Sequence, residues 1–98
     1  MNKLLLSQWG DLAESLQCKA VLHFIDPLSK WECYVLAVNP QDHDEIYCII
    51  NGETIETCYW KISEINNLYN AEGESPYLDL DFVPQSAERI LKRLEKKQ

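Results

Sequence analysis

The sequence predicts an α+β domain: a four-stranded antiparallel meander sheet with N-terminal, short connecting and C-terminal helices. Three observations carry this. Asn51-Gly52 sits between two arms rich in β-branched and aromatic residues, Ile46 to Ile50 and Thr54 to Trp60, which is the pattern of a hairpin. Upstream, two shorter runs alternate in hydrophobicity with turn residues between them. At both ends of the chain the apolar period lengthens to that of a helix.

In chain order, residues 2 to 16 carry Leu5, Leu6, Trp9, Leu12, Ala13 and Leu16 on one helical stripe, with Gln8, Asp11 and Glu14 opposite. Lys19 to Ile25 reads as a first strand with Ala20, Leu22 and Phe24 on one face, closed by the turn residues Asp26-Pro27-Leu28-Ser29. Trp31 to Val38 is the second strand, and Asn39 to Asp44 a polar loop. A type I′ turn at Asn51-Gly52 needs positive φ at both residues, which Asn and Gly tolerate. A two-residue loop puts Ile46, Cys48 and Ile50 on one face with Ile55, Thr57 and Tyr59; a three-residue bulged loop flips that set. Ser63 stands where an N-cap belongs, ahead of Ile65 and Leu68. Residues 70 to 76 form an acidic loop. Tyr77 to Val83 is extended, with Leu78, Leu80 and Phe82 in phase and Asp79 and Asp81 opposite. Ser86 caps a final helix that runs to about Lys97 and turns Ile90, Leu91 and Leu94 inward.

Ninety-eight residues, 46% of them hydrophobic and 26% charged, make one globular domain over residues 1–98. No apolar run reaches the roughly 18 residues that span a bilayer, and Leu4 to Leu6 is too short for a signal peptide, so a cytoplasmic setting without membrane contact is expected. Cys18, Cys33, Cys48 and Cys58 include no C-x-x-C pair and read as free thiols buried as small hydrophobes, with no metal site.

The net charge of −7 is unevenly spread: residues 1 to 84 hold fourteen acids and four lysines, residues 85 to 98 two acids and five bases. An acidic body repels nucleic acid and suits a basic protein partner, whose encounter it steers. The candidate partner-binding residues are Asp42, Asp44 and Glu45 in one loop, Glu72 and Glu74 in another, and Asp79 and Asp81 on the extended piece. Candidate ligand-binding aromatics are Trp31, Tyr34 and Trp60. No phosphate loop, nucleophile elbow, zinc-protease helix or calcium loop occurs, and no cofactor or catalytic residue is expected.

Phe24-x-x-Pro27, Trp31-x-x-Tyr34, Ile49-Ile50-Asn51-Gly52, Glu56-x-x-Tyr59-Trp60, Ser63-Glu64-Ile65 and Asp79-Leu80-Asp81-Phe82-x-Pro84 occur in that order. Over residues 22 to 84 this resembles a family of small bacterial proteins of unknown function often carried on plasmids and other mobile elements. Two positions depart from that family's pattern: Leu78 stands in place of an Arg, and Thr57-Cys58 in place of a Leu-Gly pair. The resemblance implies a compact α+β fold and a mobile-element setting, and brings no catalytic residues. The functional expectation is a non-enzymatic interaction or inhibitor protein that presents acidic surface to a basic partner, as a nucleic-acid mimic directed against host defence would. A ligand-binding module using the sheet aromatics is the alternative, and a small hydrolase using Asp79, Asp81 and Glu56 a lesser one.

Overall fold

A computed structural model of the chain describes residues 19–96. The helix expected over residues 2 to 16, together with Trp9 and Cys18, lies outside the described residues. In chain order the elements are β1 (Lys19–Ala20), β2 (Leu22–Ile25), β3 (Glu32–Asn39), β4 (Asp42–Asn51), β5 (Ile55–Lys61), α1 (Ile62–Asn66), β6 (Tyr77–Leu78), β7 (Gln85–Ser86) and α2 (Ala87–Lys96). They form a five-stranded antiparallel sheet of order β5-β4-β3-β2-β6 and a two-stranded sheet, β1 with β7.

The described chain is therefore mostly sheet, with two short helices, which replaces the expected four-stranded α+β arrangement. The fifth strand, β6, is the first two residues of the segment expected to be extended over Tyr77 to Val83, and its pairing with β2 across more than 50 residues was not part of that expectation. It exists by docking Tyr77 and Leu78 against Ile25 and Phe24. Beyond Leu78 the chain does not continue extended. Phe82 N–H reaches back to the carbonyl of Asp79 in a turn, and Leu80 is left 87% exposed. The first predicted strand is split at Val21, which flips the face: Ala20 enters one core, Leu22 and Phe24 the other.

The central hairpin also differs from its expectation. Asn51 pairs with Ile55 around the three residues 52 to 54, and among the described residues Gly73 alone has positive φ. The type I′ turn at Asn51-Gly52 is thus not formed. With Ile50 opposite Glu56 and Cys48 opposite Cys58, the three-residue register holds. Ile46, Cys48 and Ile50 share a face with Cys58 and Trp60, while Tyr47 and Ile49 share the other with Ile55 and Thr57. Gly52 serves close approach instead: a Cβ there would lie 3.2 Å from Cδ1 of Trp31. The loop expected over Asn39 to Asp44 is a tight turn, since Asn39 already pairs with Asp42. A bulge at Leu36 brings both Leu36 and Ala37 opposite Tyr47.

Both faces of the sheet are covered. Ala87, Ile90 and Leu94 of α2 pack on Tyr34, Leu36 and Ile49, as the helical spacing requires, and Ser86 Oγ accepts the N–H of Arg89 as an N-cap. Ile49 and Ile90 are wholly buried, each contributing about 2 kcal/mol. On the other face Ile65 of α1 closes over Phe24, Cys33, Val35, Ile46 and Cys48. Ser63 is not the cap of α1; Lys61 holds that position without a side-chain bond. Asp44, projecting from β4, accepts both the N–H and the hydroxyl of Ser63 at 2.8 and 2.6 Å and supplies the negative charge that a helix start favours.

Candidate functional site

The alternation of β2 and β3 sets His23 opposite Tyr34, under α2. Their rings stack 4.3 Å apart and nearly parallel, and Phe82 leans on the imidazole at 5.2 Å. His23 is 8% exposed, and each ring nitrogen meets a carboxylate: Nε2 lies 2.8 Å from Glu32 and Nδ1 3.0 Å from Asp79, so the protonated ring donates to both. Burial alone would lower the His23 pKa, but the two carboxylates outweigh it and raise the value above 6.5. Burial likewise works against the Glu32 charge. Bonds from His23, from Asn51 Nδ2 at 2.8 Å and from the Tyr34 hydroxyl at 2.8 Å overcome it and bring that group down to about 2. Burial and the bond to Glu32 push the Tyr34 hydroxyl up to about 12, partly offset by Arg93, whose Nη2 donates to it at 3.2 Å.

Every donor in this cluster has its acceptor, and among the described residues no buried side-chain polar atom lacks a partner. In its protonated form the ring donates from both nitrogens and keeps no lone pair with which to accept a proton. The cluster is a polar tie that fastens the turn after β6 to β2 and β3.

A second group forms where β2 leaves for β3. Trp31, Tyr69, Leu68 and Pro76 line a groove of about 260 Å³ together with Asp26, Ser29, Asn70 and Glu74. Asp26 accepts from the N–H of Leu28, the hydroxyl of Ser29 and Nδ2 of Asn70, the last at 2.8 Å, and these bonds hold its carboxyl below the ordinary range.

The acids named from sequence are distributed over both ends of the sheet. Asp42, Asp44 and Glu45 begin β4. Asp44 is spent on α1, where Ser63 lowers its pKa, and Glu45 accepts from the buried Asn39 at 2.7 Å. Asp79 lies beside His23, which pairs with Tyr34, five residues along β3 from Asn39, the partner of Asp42; that is about 17 Å in the strand direction alone. Glu72 and Glu74 are exposed in the loop near the groove. Asp81 donates its N–H to Asp79 Oδ1 across a turn, so these two are not a pair on one strand face. Glu56 sits on β5, at the opposite edge of the sheet from Asp79, and the three carboxylates of the hydrolase reading do not converge. Of the aromatics, Tyr34 is buried at 3% exposure and tied to Glu32, so it is no ligand platform. Trp31 is half-buried in the groove, edge-on to Trp60 at 6.1 Å.

Cys33, Cys48 and Cys58 are free thiols. The contact with Cys33 and then burial raise the Cys48 pKa, and burial first raises that of Cys58 to about 11. Among the described residues no cluster of His, Cys, Asp or Glu is arranged to hold a metal ion.

Sequence reasoning missed Glu32, Asp26, Asn70 and Tyr69. A histidine inside an otherwise apolar strand was the available signal for the first, since a buried imidazole needs hydrogen-bond partners. The others depend on two loops meeting, which no local pattern encodes. No family model, no curated protein and no solved structure matches the chain.

Proposed function

We propose that this protein is a non-enzymatic binding protein that engages a basic protein partner through unneutralised acidic surface. One observation supports the reading above others. Residues 19 to 84 hold twelve carboxylates against three lysines. Among the described residues the one carboxylate paired with a lysine or arginine is Glu88, with Lys92 at 3.2 Å inside α2. Asp42, Glu53, Glu56, Glu64, Glu72, Glu74 and Asp81 are exposed. Such a field attracts cations over a Debye length of about 8 Å. No helix among the described residues is long and apolar enough to cross a membrane. A cytoplasmic setting, supported by the free thiols, and the mobile-element setting implied by the resemblance belong to this proposal.

The test is binding of an oligoarginine peptide at low and high salt, beside heparin and a charge-matched acidic control protein. Tighter binding than the control, steeply weakened by salt and absent for heparin, is expected. Equal binding to the control would reduce the acidity to a solubility device.

A further inference from the structure

The groove at the Trp31 end of the sheet is built before anything binds it. One wall is the turn of residues 26 to 31, in which the Trp31 N–H donates to Ser29 Oγ and the Asp26 N–H to the carbonyl of Trp31. The other is the loop of residues 68 to 76. There Asn70 Oδ1 accepts the N–H groups of Glu72 and Glu74, and Gly73, at φ 78, lets the loop fold back on itself. Asn70 Nδ2 bonds Asp26 and cross-braces the two walls. A site held open by its own bonds loses less on binding than one that must order.

Its lining is selective. The groove is lined by Trp31, by Tyr69, which is 66% exposed, and by the acidic residues Asp26 and Glu74. No lysine or arginine lines it; Lys30 faces the adjoining hollow with Gly52 and Glu53. The donors to Asp26 are all neutral, so its charge is held but not cancelled. An anion is repelled here, and an apolar side chain would strip water from a carboxylate without replacing it. A basic side chain satisfies both features: its cationic head lies over the rings and donates to Glu74, and its alkyl stem covers the apolar wall.

We infer that the groove between Trp31 and Tyr69 is the receptor for a lysine or arginine side chain of the partner. This rests on the reading that the partner is basic, and adds where it is gripped.

Titrations followed by NMR separate the two claims. The probes are N-acetylarginine amide, the neutral N-acetylcitrulline amide and the oligoarginine peptide, applied to the native chain and to Tyr69→Ala and Glu74→Gln, both exposed positions. The arginine amide should shift the Trp31 indole and the amides of Asn70 and Glu74, and the citrulline amide should not. Each variant should weaken the peptide about two- to fivefold. If the peptide binds but these signals and both variants are indifferent, the groove is not the receptor and the basic-partner reading stands. If the peptide does not bind at low salt, both fall.

Discussion

Asp26 and Glu32 flank one short connection and end in opposite electrostatic situations. Glu32 accepts from Tyr34 and Asn51 and faces the ring of His23, which in its protonated form is a cation shared with Asp79, so its charge is countered within the fold. Asp26 is hydrogen-bonded as fully, but by a backbone N–H, a hydroxyl and an amide, none of which carries charge. The first cluster is closed and holds strands together. The second shapes two loops and leaves its negative charge facing a groove. The number of acids in a chain therefore says little about usable acidity; what decides is whether each acid has met a cation during folding.

The largest effect should come from opening the closed cluster. His23→Ala leaves Glu32 and Asp79 without their shared cation and Tyr34 without its stacked ring, at a cost of about 3 kcal/mol in denaturant unfolding. Loss of less than about 0.5 kcal/mol would show that water replaces the imidazolium readily and that the cluster is not a tie.

Next in size is the pH dependence of the same cluster. The His23 pKa is raised by folding, so its contribution is complete below the unfolded value of 6.5 and fades as pH climbs through the folded one. Tyr34, raised to about 12, adds a further loss above 10. Glu32 and Asp79 are lowered, so their contribution is complete above the ordinary carboxylate range and is lost on acidification, for Glu32 between 4.5 and about 2. Arg93 and Asn51 are the other polar groups facing the cluster. Melting temperature should therefore peak between about 4.5 and 6.5 and fall on both sides. The alkaline fall that begins at 6.5 should vanish in His23→Ala.

A smaller effect tests the open cluster. In Gly52→Val the new side chain meets the Trp31 indole, from which even a Cβ would lie 3.2 Å away, and should cost about 1 kcal/mol by overpacking. The indole resonance should move while the pH profile of the His23 cluster stays unchanged. A shift in that profile would mean that the two regions are coupled.

How much of this was legible in the sequence follows from the range of each interaction. The hairpin arms Ile46 to Ile50 and Thr54 to Trp60 were readable because their period is local, and Ser86 was readable as a cap because its partner, Arg89, is three residues away. The register around Gly52 was not, since Asn-Gly fits a three-residue loop as well as a two-residue one, and the approach of Gly52 to Trp31 is a contact between distant segments that no local pattern encodes. Asp79 and Asp81 looked like a strand pair because alternation continues through Phe82, yet the bond of Asp79 to His23, 56 residues away, bends that segment into a turn. The site depends on such distant pairings throughout. Asp44 looked like free loop charge until Ser63, 19 residues on, claimed it, whereas Glu74 looked the same and no cation has claimed it.

The smallest expected effect is the one that separates the two clusters most directly. Glu74→Gln removes a carboxylate from the open groove; Glu32→Gln removes one from the closed tie. Each substitution keeps the side-chain volume and deletes one charge, so the environment alone decides the outcome. At Glu32 the loss leaves His23 with a poorer acceptor in a water-poor site, and a clear drop in stability follows. Glu74 is exposed and has no cationic partner among the described residues, so unfolding should stay within about 0.5 kcal/mol of the native chain, or become slightly easier to resist as repulsion from Asp26 and Glu72 is relieved. A stability loss at Glu74 as large as that at Glu32 would mean that the groove carboxylate is already committed to the fold, and the distinction between closed and open acids would collapse.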